Sequence, residues 1–199
     1  MRHLLLPTAL LALSCLSAPV ALADDAPQQP VTWQFDTAHS HIAFQVSHLG
    51  YSTTFGEFEA FDGQLVLDEA APQDSQVTVT IDASSIDTGH AARDEHLQGD
   101  KWLNTDEFPT MRFVSTGIEL SGDNTASVSG NLTLLGETRP VTLDVSLNGR
   151  GTSPFSGLDV IGFEATTRIL RSEFGMTHAI PAIEDQITIL ISAELNPAP

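Results

Sequence analysis

Ser40-His41-Ile42-Ala43-Phe44-Gln45-Val46-Ser47-His48 alternates along its whole length. Ser40, Ile42, Phe44, Val46 and His48 fall on one face of an extended chain, and His41, Ala43, Gln45 and Ser47 on the other. A helix would scatter the apolar residues around its circumference; a half-buried strand gathers them. The same period of two recurs downstream, in Gly63–Asp68, Val77–Asp82, Met111–Ser115, Val128–Leu134, Val141–Leu147, Ile161–Thr167 and Gln186–Ser192. Turn formers bound most of these runs, among them Asp62-Gly63, Gly122-Asp123-Asn124, Gly136, Asn148-Gly149 and Ser156-Gly157. The pattern predicts an all-β antiparallel meander with one wet and one apolar face. Long strands leave edges to be managed, and closure into a barrel removes them.

One stretch breaks the alternation. Gly89–Asn104 (GHAARDEHLQGDKWLN) reads as a short helix followed by a loop. Across one end of a barrel, Leu97, Trp102 and Leu103 could form a lid; an ordinary crossover packing three apolar residues explains them equally.

Arg2 and His3, the apolar run from Leu4 to Leu13 and the small-x-small site Ala21-Leu22-Ala23 predict a cleaved secretory signal over 1–23. Pro7, Pro19 and the A-x-A ending argue against a membrane anchor, and Ala12 argues against acylation at Cys15. Polar residues 24–30 read as a flexible leader, and 31–199 as one domain. Cleavage removes Cys15, so stability must come from a core rather than a disulfide. The formal charge of -18 becomes one more negative without Arg2. Such a surface repels nucleic acid and anionic bilayers, and no stable membrane insertion is expected.

Chemistry-bearing motifs are absent: no G-x-S-x-G elbow, H-E-x-x-H helix or Gly-rich phosphate loop occurs. No catalytic group, metal or cofactor is therefore expected, and a binding protein is read ahead of two alternatives. One is a lipid-modifying enzyme using His48, His96 or Ser40. The other is a filled-core module with a surface metal at His39 and His41, which supply at most half a zinc site. His48 continues the Ile42-Phe44-Val46 face and, with Arg93 and His96 of the crossover, is a candidate anchor for a ligand headgroup; a histidine satisfied by a backbone carbonyl is the plainer account. Ten Phe against one Tyr suit either a filled barrel or a hollow one.

At this point the chain resembles the YceI-like family of exported, lipocalin-like proteins. The matching runs are DTAHSHIAFQVSHLG (36–50), GEFEAFDG (56–63), IDASSIDTG (81–89), RDEHL (93–97), FPTMRFVST (108–116), GNLTLLG (130–136) and RSEFGM (171–176). They occur in the family's order from Trp33 to Leu195; Leu135 departs from it at a hairpin tip. The resemblance implies an extended eight-stranded antiparallel barrel, a bacterial periplasm, and frequently a homodimer. It implies an interior holding a long apolar chain such as a polyisoprenoid, an isoprenoid quinone or a fatty amide. On that reading the channel is walled by Ile42, Phe44 and Val46, by Phe58 and Ile81, and by Leu97, Trp102 and Leu103. The remaining wall is Phe113, Leu132, Leu143 and Val145, with Phe163, Ala165 and Phe174. Strands of about ten residues at ~3.3 Å each would give a tunnel of roughly 30 Å.

Overall fold

The computed structural model describes residues 29–199, so the expected signal segment and most of the leader lie outside the described residues. The strands are β1 (Val31–Phe35), β2 (His41–His48), β3 (Ser52–Phe58), β4 (Phe61–Leu67), β5 (Gln76–Asp82), β6 (Ile86–Asp87), β7 (Thr110–Leu120), β8 (Thr125–Leu134), β9 (Glu137–Thr152), β10 (Asp159–Leu170) and β11 (Gln186–Pro197), with one helix, α1 (Ala91–Gln98). Every alternating run falls in a strand, and the crossover supplies the helix. Among the described residues no helix is long and apolar enough to cross a membrane.

The ring β1-β4-β5-β7-β8-β9-β10-β11 closes through β1–β11 pairing, giving an eight-stranded antiparallel barrel. The remaining segments continue its first three strands. β2 follows β1 after a kink, β3 runs into β4, and β5 into β6; accordingly β2 pairs β3 and β3 pairs β6. The last strand meets both halves of the first: Trp33–Phe35 pair with Leu195–Pro197, and His41–Gln45 with Thr188–Ser192.

The kink at 36–40 is built from side chains that replace ladder bonds. Asp36 accepts from the Ala38 N–H and pairs with His39. Ser40, 4% exposed, donates its hydroxyl to the Glu194 carbonyl and accepts from the Glu194 N–H. The Glu194 carbonyl also accepts from the Asp36 N–H, so the hydroxyl adds a second bond there and supplies the acceptor that the break would deny the Glu194 N–H. At α1 the N-cap is His90, whose Nδ1 accepts from the Arg93 N–H.

Two packed clusters occupy the interior. The larger includes Ile42, Ile81, Met111, Phe113, Val128, Leu132 and Ile169; the smaller joins Trp33, Leu65, Ile161, Ala193 and Leu195 at the end away from α1. Ring placement depends on close approach at Gly130, where an added Cβ would lie 2.3 Å from the Phe113 ring and 2.6 Å from the Val114 carbonyl. Only glycine lets that ring lie across the neighbouring strand.

The β9–β10 hairpin overshoots the rim. β9 pairs with β8 only as far as Ser146, then with β10 alone to Thr152↔Asp159. A bulge beside Gly162/Phe163 bends it. Arg150 then reaches the opposite side of the ring, donating from Nη1 and Nη2 to the two carboxylate oxygens of Glu69, each at 2.8 Å. These bonds hold the Glu69 carboxyl below its ordinary pKa, so the latch is present at neutral pH and fades as pH falls below the carboxylate range. An exposed pair of this kind contributes about 0.5–1 kcal/mol. Glu69→Gln is expected to raise hydrogen exchange of the 149–158 amides by roughly two- to fivefold; an unchanged rate would show that the hairpin is held by its own strands.

Candidate functional site: an apolar channel with a basic end

The barrel is hollow. A cavity of about 590 Å³ extends from Leu67, Pro72, Leu120 and Ala126 at the hairpin end to Arg93, His96 and Arg171 at the α1 end. The filled-core alternative does not fit: the inward Phe, Leu and Ile groups leave space between them. Outward positions such as Glu57, Asp144 and Glu164 carry the polar half of each alternation.

The expected wall residues converge, with one exception. Ile42, Phe44 and Val46 of β2 line the cavity, as do Phe58, Ile81, Phe113 and Leu132. Leu143 and Val145 of β9, Phe163 and Ala165 of β10, and Leu97, Trp102 and Leu103 of the crossover complete the set. Phe174 is not among them. β10 ends at Leu170, and a turn of 3-10 helix over Arg171–Phe174 carries the ring into solid core, where it is 1% exposed. Other wall residues stood on the same period-two faces without being singled out, including Leu65, Val79, Met111, Val141, Ile189 and Ile191.

His48, Arg93 and His96 all border the cavity at the α1 end. His48 ends β2 and bridges to Ile183. Arg93 is steadied by Thr88, donating from Nε to its hydroxyl at 2.7 Å and from Nη2 to its carbonyl at 2.8 Å. His96 and His178 each stand edge-on to Trp102, with centroids 6.0 and 5.2 Å away.

Sequence reasoning missed Arg171, for which the RSEFGM run was the only signal. Arg171 is 1% exposed, and its guanidinium carbon lies 5.4 Å from the Trp102 ring centroid. It donates to the carbonyls of Glu184 (3.0 Å), Met176 (2.7 Å) and Ile183 (2.9 Å). One side chain therefore fastens the 176–184 segment beneath the crossover. Burial pulls its pKa below the ordinary arginine value, with Asp185 opposing, but a guanidinium in this range stays protonated. Asp185 itself is held by the Ser172 N–H and hydroxyl, which keep its carboxyl below its usual pKa.

The surface-metal alternative meets a different arrangement. His39 pairs with Asp36 at 2.9 Å and His41 with Glu57 at 3.2 Å, so the two imidazoles turn to separate carboxylates. Hydrogen bonding to Asp36 raises the His39 pKa. Ser40, considered as a participant in catalysis, has its hydroxyl committed to the β11 backbone.

The family model for the YceI-like domain matches residues 33–195. The chain is 40% identical over 156 residues to Protein YceI of Salmonella arizonae, covering 78% of this chain and 81% of that one; Protein YceI of Salmonella heidelberg matches to the same extent. Among solved structures, Burkholderia cenocepacia BcnA superposes with a TM-score of 0.73 at 26% identity, covering 80% of this chain and 98% of that one. The Campylobacter jejuni YceI protein gives 0.70 at 28%, covering 82% and 96%. A polyisoprenoid binding domain from Saccharophagus degradans shares the fold, with a TM-score of 0.64 at 15% identity over 84% of this chain and 99% of that one.

Proposed function

Because this chain belongs to the YceI-like family, we propose that it binds a long-chain apolar lipid inside its barrel and carries or stores it in the periplasm, without catalysing a reaction. The observation behind this reading is the apolar channel itself, running nearly the length of the barrel between walls of Phe, Leu, Ile and Val.

Energetics favour long tails over short ones. Burying a methylene contributes ~0.8 kcal/mol, and association opposes it by an estimated 4–15 kcal/mol. A ten-carbon tail gains ~8 kcal/mol and can be cancelled outright. A twenty-carbon tail gains ~16 kcal/mol, and a net ~8 kcal/mol corresponds to roughly micromolar binding. The space suits a long tail: a cavity of about 590 Å³ is many times what a single water needs and runs from one end of the barrel to the other. A polyisoprenoid, an isoprenoid quinone and a fatty amide all present tails of this class. The acidic exterior keeps such a carrier dispersed while its ligand is hidden.

Native mass spectrometry of the protein purified from its own cells is expected to show a co-purified lipid, released on denaturation. Empty spectra, together with failure to take up an added prenyl lipid, would remove the carrier reading. Turnover of the bound lipid would replace it with the enzymatic one.

A further inference from the structure

The cavity wall carries a charge pattern opposite to that of the protein. Asp and Glu outnumber Lys and Arg 26 to 8 along the chain. Yet among the described residues no Asp or Glu lines the cavity, whereas Arg93, Arg171, His41, His48 and His96 do. A random draw from this composition would bring carboxylates inside first.

Apart from His41, at the start of β2, these groups gather at the α1 end. Arg171 and His96 both face the Trp102 ring. Arg93 lies one helical turn before His96. His48 bridges to Ile183, whose carbonyl accepts from Arg171. Among the described residues no carboxylate forms an ion pair with Arg171, and its hydrogen bonds all end on neutral carbonyls. Asp185, the nearest opposing charge, is itself engaged by Ser172 and makes no contact with the guanidinium, and in a low-dielectric wall the field of a buried cation on a nearby charge is strong. Donors remain to meet that charge. Arg93 Nη1 has no partner among the described residues, and neither has the buried Trp102 Nε1.

On the reading that the barrel holds a long-chain lipid, we propose that this lipid is an amphiphile with an anionic head, a carboxylate or a phosphate monoester. The head sits among Arg93, His96, His48 and Trp102 with Arg171 behind it, and the tail runs toward Pro72 and Leu120. The wall then supplies the counter-charge that the tail cannot, and the outside of the protein still repels anionic bilayers.

Calorimetric titration with five ligands sharing one eighteen-carbon tail tests this: oleate, oleyl phosphate, oleamide, oleyl alcohol and 1-octadecene. One or both anions are expected to bind at least tenfold tighter than the amide and the alcohol, and whichever anion is preferred identifies the head. Arg93→Gln combined with His96→Gln, both exposed positions and so compatible with folding, is expected to bring the ratio within about threefold. Equal affinities for anions, amide and alcohol would overturn the anionic head and leave lipid carriage standing, as would an anion preference untouched by the double variant. Failure of all five to bind, octadecene included, would overturn lipid carriage and this proposal with it.

Discussion

Ala165→Trp is expected to abolish lipid uptake while leaving the barrel folded. Ala165 sits midway along β10, with Val145 of β9 and Ile191 of β11 directly beside it in register, and all three line the cavity. An eight-stranded barrel is only just wide enough to hold side chains or one ligand. An indole entering from Ala165 therefore competes with the tail across the whole cross-section. It fills existing space, so the strain of overpacking a solid core is largely avoided; the buried indole N–H without a partner opposes folding by roughly 1–3 kcal/mol. Titration with a prenyl lipid should show at least a hundredfold loss of affinity, with the circular dichroism of the folded barrel retained. Wild-type uptake by the folded variant would place the lipid somewhere other than this channel.

Arg171→Met is expected to produce the largest loss of stability of any single change at the α1 end. The substitution keeps much of the apolar stem but strips three buried carbonyls of their donor at once. Each buried carbonyl left without its donor costs about 1–3 kcal/mol, and no longer burying a cation returns part of the sum, which leaves a loss of about 3–5 kcal/mol. For a domain of this size that corresponds to a fall in Tm of roughly 6–20 °C. Arg171→Lys should recover only part of it, because an ammonium cannot present the flat fork that reaches Glu184, Met176 and Ile183 together. A fall of less than about 3 °C in Arg171→Met would mean that the 176–184 segment is held by other contacts.

What could be read from the chain in advance was whatever repeats along it. Period two placed eight of the eleven strands but not β1, β3 or β6, assigned Phe44 and Ala165 to the same side of the sheet, and isolated Gly89–Asn104 as the exception. Periodicity fails where the backbone changes course. Phe174 was expected in the channel as one of the phenylalanines on or beside strands, but a 3-10 turn after Leu170 takes it into the core. The kink at 36–40 was equally hidden, since a serine hydroxyl serving two backbone groups looks like any other serine. Arg171 owes its role to carbonyls of an irregular segment and to an indole on the far crossover, neither of which leaves a spacing signal. Nor can alternation tell a hollow barrel from a full one: it says which side chains face inward, and the distance at which they stop is set by the diameter of the closed sheet.

That closure has a kinetic side. Trp33 pairs with Pro197 and Ile42 with Ile191, so the seam joins segments separated by most of the described chain. Bringing such distant segments together sacrifices loop entropy before any contact repays it, and folds dominated by non-local pairing take milliseconds to seconds. Until Gln186–Pro197 docks, the greasy interior and two unpaired strand edges stand open together. A barrel whose seam is not yet paired is open to aggregation at both edges.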